Sequence, residues 1–302
     1  MPAAGYAGYD RDELDRQYSP SSCVSDIGPY LDEYARRSAA ARATFAVHTD
    51  LPYGPEPSSR FDYFPSTRRR APLHVFVHGG YWQQLGKADA AFPALEFVPR
   101  GVAFAALGYG LAPEHSLDEI VRQVRTGLWY LATHLAELPG APSRLHLSGH
   151  SAGAHLVTMA LQPGWTPDGR HPVDLFDGGT LLSGVYDLEP LRHTYVNDPL
   201  GLDAVSASRN SPVRWLPPSL PPLVVARGVW ETDEFARQHD EFAATARARG
   251  GCVIDVTVAQ RNHFDLPFDL GVAGSVLDGT GAAAESARMV PGELPLESLP
   301  RT

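Results

Sequence analysis

The sequence predicts an α/β fold in which a mostly parallel, twisted sheet is flanked by helices. Three observations point there. Short apolar runs alternate with amphipathic helical segments through most of the 302 residues, the pattern of βαβ units with right-handed crossovers. One of those runs rises directly into Gly149-His-Ser-Ala-Gly153 and on into a helix-like segment. Another, Leu73-His-Val-Phe-Val-His-Gly-Gly80, is of buried-strand type and ends in a glycine pair.

Taken in order, residues 1 to about 20 are polar and predict an irregular start leading into a short helix. From Asp26 to Phe45 the pattern is helical, with Ile27, Leu31, Tyr34 and Ala35 on one face. The segment 1–45 is therefore expected to pack as a helical cover on the rest. Arg60 to Phe64 predicts a short strand. The cluster Arg68-Arg69-Arg70 reads as a solvated turn before the strand at Leu73. Gly101 to Leu107 is the next buried strand and runs into Tyr109-Gly-Leu-Ala-Pro-Glu114.

Ser116-Leu-Asp-Glu119 predicts a capping box. Leu117, Ile120, Val121, Val124, Leu128, Leu131 and Leu135 then follow at helical spacing, and Pro139-Gly140 closes the helix. Asp177 to Gly184 is a strand, and Asp187-Leu-Glu-Pro190 reads as a capped helix start. The Pro-, Ser- and Asn-rich stretch 195–222 predicts a loop or cap. Pro222 to Ala226 forms a strand ending near Trp230-Glu231. A helix from about Asp233 to Arg249 begins acidic, ends basic and stops at Gly250-Gly251. Cys252 to Val258 is the last strand. A single domain is expected over 1–270, with 271–302 a weakly structured tail.

The chemistry is concentrated at strand ends. Gly-x-Ser-x-Gly between a strand and a helix is the nucleophile elbow of the α/β-hydrolase fold: the serine sits on a strained turn, and small neighbours let the helix fold back on the strand. That assigns Ser151 as nucleophile and the Ala152 N–H as one donor to a developing oxyanion. The loop at His78-Gly-Gly-Tyr-Trp-Gln83 is expected to supply the others, from Gly80 and Tyr81, with His78 an anchor of the loop rather than a base. In this fold the triad runs Ser, then Asp or Glu, then His. His263, just past the last strand, is the base. Glu231 is the first choice of acid, with Asp233, at a helix start, and Asp187, a helix cap, as alternatives. His146, His150 and His155 lie on strand, turn and helix in succession, so no metal site is expected from them.

Composition limits the partners. A net charge of −10 argues against nucleic acid, which needs a basic face. No run approaches 18 apolar residues and there is no N-terminal apolar h-region, so neither a membrane span nor export is expected. The only two cysteines, Cys23 and Cys252, are expected to be reduced thiols in a cytoplasmic setting. Nothing calls for a cofactor, and homo-oligomerisation is left open.

These motifs together resemble kynurenine formamidase (arylformamidase), a branch of the α/β-hydrolases. The likeness is carried by Gln17-Tyr-Ser-Pro-Ser21, His78-Gly-Gly-Tyr-Trp-Gln83, Gly149-His-Ser-Ala-Gly-Ala-His155, Ser183-Gly-Val-Tyr-Asp-Leu-Glu-Pro190, Arg209-Asn-Ser-Pro212, Glu234-Phe235 with Arg237-Gln238, and His263-Phe264. The aromatic pair after His-Gly-Gly is the most telling, since carboxylesterases of the hormone-sensitive lipase type usually carry a third glycine there. The resemblance implies a triad of Ser151, His263 and Glu231. It departs in having Glu231 and Asn262 where the animal enzymes have aspartates. It implies hydrolysis of N-formyl-L-kynurenine through a formyl-serine intermediate, with Tyr81, Trp82 and Phe264 expected to wall the substrate. The alternative is a carboxylesterase acting on small acyl or aryl esters, because Tyr109-Gly-Leu-Ala-Pro-Glu114 is like a segment of those enzymes.

Overall fold

The computed structural model describes residues 6, 8–275, 277 and 278. Eight strands form one sheet: β1 (His48–Pro52), β2 (Arg60–Phe64), β3 (Pro72–Val77), β4 (Ala103–Leu107), β5 (Arg144–His150), β6 (Gly178–Leu182), β7 (Leu223–Trp230) and β8 (Val253–Asn262). Their spatial order is β1-β2-β4-β3-β5-β6-β7-β8. The β1–β2 and β2–β4 pairs are antiparallel and all other pairs parallel. The α-helices are α1 (Arg11–Gln17), α2 (Gly28–Thr44), α3 (Ala94–Phe97), α4 (Leu117–Thr133), α5 (Ala152–Ala160), α6 (Asn197–Leu200), α7 (Ala204–Arg209) and α8 (Asp233–Ala248).

The side-chain period of two divides the core between the two faces of the sheet. Leu73, Val75 and Val77 of β3 and Ala103, Ala105 and Leu107 of β4 pack with α4, α5 and α8. Phe76, Phe104 and Ala106, from the same strands, pack with α2, α3 and the turn after β8. Every predicted apolar position of α4 from Leu117 to Leu131 is buried. Its capping box forms only by half: Ser116 Oγ accepts the Glu119 N–H at 3.3 Å, while the Glu119 carboxylate turns to His115 at 3.2 Å.

On α2 the inward face is Tyr34, Ser38 and Ala41, and Ala35 is exposed. Ser38 takes that inner position because its Oγ accepts the buried N–H groups of Ala91 and Phe92 at 3.1 and 3.0 Å. Arg42 of α2 and Lys87 converge on the buried Asp62 of β2 at 3.0 and 2.7 Å, which ties the helical cover to the sheet. Strand β1 was not anticipated from the sequence; four of its five residues are exposed, so no apolar alternation marks it. At the other end the chain stays packed as far as Leu277, which is buried and whose carbonyl accepts the Gly271 N–H at 2.7 Å. The expectation of a weak tail over 279–302 falls outside the described residues.

Burial of polar rings sets an acid limit on stability. His78, His146 and His155 are each lowered to about 4, chiefly by desolvation of the charged ring. Unfolded, each titrates near 6.5, so the folded pKa is depressed and the unfolded chain binds more protons in between. Stability contributed by the neutral rings is complete above about pH 6.5 and is lost as pH falls toward 4, at about 1.4 kcal/mol per pH unit for each ring. A urea titration should show its midpoint falling steadily from pH 6.5 to 5; a flat midpoint across that interval would contradict the burial.

Candidate active site

Strand β5 ends at His150, and Ser151 follows with φ 54° and ψ −119°, a backbone conformation that a non-glycine residue adopts only under strain. The Ser151 N–H donates to the Leu182 carbonyl at 2.8 Å, which fixes the turn against β6. The two glycines are required sterically. An added Cβ at Gly149 would overlap the Gly153 carbonyl, and one at Gly153 would overlap the Val77 and His78 carbonyls. Helix α5 thus lies directly on β3 and on its own strand. Ala152 is its first residue, where the N–H has no intrahelical acceptor.

The His78–Gln83 loop runs beside the elbow. Gly80 (φ 99°), Tyr81 (φ 50°) and Trp82 (φ 60°) are all left-handed, and the Gly80 carbonyl accepts the N–H groups of Gln83 and Gln84 at 2.9 Å each. A Cβ at Gly80 would strike the Gln84 backbone. His78 holds the loop as expected of an anchor: its Nδ1–H donates to the Gly79 carbonyl at 2.9 Å and its ring stacks on Tyr109 at 4.1 Å.

His263 follows β8. Its Nδ1 lies 3.1 Å from Glu231 Oε2, and both side chains are almost fully buried. The other Glu231 oxygen accepts from Ser183 Oγ at 2.7 Å and from the Gly228 N–H at 2.5 Å. The carboxylate is thereby held by three donors, Ser183 just past β6, Gly228 of β7 and His263. Asp233 is exposed on the first turn of α8. Asp187 is engaged by Arg214 at 2.9 Å and Ser211 at 3.2 Å, in the segment between β6 and β7. Of the three acids considered, Glu231 alone reaches His263 among the described contacts.

Ser151, His150 and His263 open on one cavity of about 200 Å³, shared with Gly80, Tyr81 and Phe264. Its outer wall comes from the N-terminal segment, through Pro20, Ser21, Ile27, Leu31 and Tyr34, and from Tyr195 and Val196. The face of α2 read from the sequence as a core stripe is therefore also a wall of the site. Tyr34 OH donates to the Phe264 carbonyl, and Tyr30 stacks on Phe264 at 5.7 Å.

Trp82 was expected at this wall, and the structure places it elsewhere. It is fully buried in the core, edge-on to His155 at 5.0 Å, because the left-handed turn at Tyr81 and Trp82 sends the two rings different ways. Tyr81 stays in the cavity, with its OH donating to the Tyr18 carbonyl at 2.6 Å.

Two contributions went unread in the sequence. Ser183, at φ 49°, orients the Glu231 carboxylate, and the sequence marked it only as the start of a segment carrying the likeness. The Gln17-Tyr18 pair ties the cover to the acid loop: Thr232 Oγ1 donates to the Gln17 carbonyl at 2.6 Å, and Tyr18 OH to Glu234 at 2.7 Å.

The three consecutive histidines point to separate partners, His146 to Thr180 (3.2 Å), His150 to the His263 carbonyl (2.8 Å) and His155 to the Asn210 carbonyl (2.7 Å). Among the described residues no group of three or more His, Cys, Asp or Glu is placed to hold a metal ion. No helix of the described residues is long and apolar enough to cross a membrane.

A strained serine at a strand-to-helix elbow, over this sheet order, defines the class: an α/β-hydrolase. The family model described as BD-FAE matches residues 63–164. A kynurenine formamidase of Danio rerio is 34% identical over 269 residues, covering 85% of this chain and 90% of the relative. One of Salmo salar is 33% identical with the same coverage. The chain belongs to the kynurenine formamidase family. Esterase LipQ of Mycobacterium tuberculosis is 26% identical, covering 79% of this chain and 61% of the relative. Among solved structures, a Silicibacter sp. tm1040 protein provisionally assigned as a thioesterase superposes with a TM-score of 0.77 at 27% identity, over 88% of this chain and 97% of its own. The carboxylesterase EstE1 does so at 0.63 and 18% identity, over 81% and 88%, a likeness of fold.

Proposed function

We propose that this protein is an arylformamidase that hydrolyses N-formyl-L-kynurenine to L-kynurenine and formate. The observation that carries the reading is the likeness to kynurenine formamidases along 85% of the chain. The chemistry follows from the residues. Ser151 Oγ attacks the formyl carbon while His263 takes its proton. The N–H groups of Gly80, Tyr81 and Ala152 receive the oxyanion. Protonated His263, steadied by Glu231, gives its proton to the nitrogen as the C–N bond breaks and the arylamine leaves. Water, deprotonated by His263, then attacks the formyl-serine and releases formate.

The cavity supports a small acyl group and one aromatic ring: its lining includes Tyr81, Phe264, Ile27 and Leu31 and no Asp, Glu, Lys or Arg. The partner is accordingly a small aromatic formamide. The esterase reading is favoured by the likeness to LipQ. Purified protein decides between them: kcat/KM for N-formylkynurenine is expected to exceed that for a short-chain aryl ester by about ten-fold or more, the size of one well-used hydrogen bond. The reverse ranking would make it an esterase.

A further inference from the structure

His150 occupies the variable position of the elbow, and the steps above give it no role. Its Nε2 lies 2.8 Å from the His263 carbonyl oxygen. A carbonyl can only accept, so the ring proton is on Nε2 and Nδ1 carries a lone pair. The two imidazoles lie side by side, centroids 4.7 Å apart and planes at 49°. On the other side, a Cβ built on Gly79 would stand 3.2 Å from His150 Nδ1 and 3.2 Å from Ser151 Cβ. Nδ1 thus lies beside Gly79, next to the point where Ser151 meets the His78–Gln83 loop, and His150 lines the cavity together with Ser151 and His263. Burial holds its pKa well below the ordinary histidine value, so the lone pair persists through the neutral range. One nitrogen is used in holding the His263 loop; the other is an acceptor on the side of Gly79 and Ser151.

We infer that His150 Nδ1 accepts the scissile N–H of the formamide during C–N cleavage and thereby sets the preference for amides over esters. The inference rests on the arylformamidase reading. When Ser151 adds to the formyl carbon, the nitrogen becomes pyramidal and turns its lone pair toward the proton on His263. Its own hydrogen swings to the neighbouring side, where an acceptor beside His263 meets it. The imidazolium proton then passes to nitrogen, the C–N electron pair leaves with it, and the oxyanion reforms the carbonyl of the formyl-serine. An ester offers an oxygen lone pair at that place, so the acceptor finds no hydrogen and discriminates against it.

The test compares formanilide with phenyl formate, which share acyl and aryl groups. His150→Leu is expected to lower the formamide-to-ester ratio of kcat/KM by about ten-fold or more, as loss of a hydrogen bond made mainly in the transition state does. Equal losses on both substrates would reduce His150 to a support for the His263 loop and overturn the inference. A second measurement needs no variant: wild-type protein should disfavour N-methylformanilide against formanilide by about ten-fold beyond their ratio with hydroxide. Turnover in proportion to the hydroxide rates overturns the inference even if His150→Leu fails to fold. A wild-type protein that hydrolyses phenyl formate but neither formanilide nor N-formylkynurenine would instead remove the formamidase reading itself.

Discussion

Ser151→Ala is expected to lower kcat for N-formylkynurenine by about 10⁵- to 10⁶-fold, the loss found when a serine nucleophile is removed from a complete triad. The side chain ends in the cavity rather than in the core, and the backbone turn is fixed by the Ser151 N–H to the Leu182 carbonyl and by the packing of Gly149 and Gly153. Alanine leaves those intact. The variant should therefore fold, with a melting temperature within about 2 °C of the parent, as expected where no buried contact is removed. Active-site titration with an aryl ester should show no burst. Residual turnover above about one per cent of the parent, far more than a triad without its nucleophile retains, would place the nucleophile elsewhere.

Glu231→Gln should lower kcat by about two to four orders of magnitude, as for other acids that orient a histidine base. The glutamine oxygen can still accept from Ser183 and Gly228, which now bond to Oε1. Its amide nitrogen then faces His263 Nδ1, where the carboxylate oxygen lies at 3.1 Å. Two donors meeting there force the ring into the tautomer that leaves Nε2 protonated and unable to take the serine proton. Asp233→Asn, at an exposed helix start, is the control and should change kcat less than about three-fold, in line with an exposed dipole charge. A nearly normal Glu231→Gln beside an inactive Asp233→Asn would transfer the role of acid.

Much of this was legible before any coordinates, for particular physical reasons. Buried parallel strands are continuous apolar runs, so β3 to β7 could be read, as could α4 and α8 from their helical period and caps. The elbow was legible because its glycines answer a steric demand that nothing larger meets. Strand β1 was not, since an exposed antiparallel edge needs no apolar pattern. Trp82 was misplaced because adjacency in sequence says nothing about which way two successive left-handed residues send their rings. The inner face of α2 shifted from Ala35 to Ser38 because a buried serine could satisfy two amides, a contact with residues some fifty positions away.

The sequence by itself determined the order of the buried strands, the strand-to-helix elbow at Ser151 and the sheet that presents it, because these depend on local spacing, backbone sterics and burial. Only the tertiary structure decided which carboxylate lies beside His263, which aromatic faces the cavity and how the N-terminal segment closes it. Each of those is a contact between groups far apart along the chain, up to 232 residues in the bond from Asn262 to Tyr30. Such contacts are fixed by how the layers pack, which local pattern does not encode.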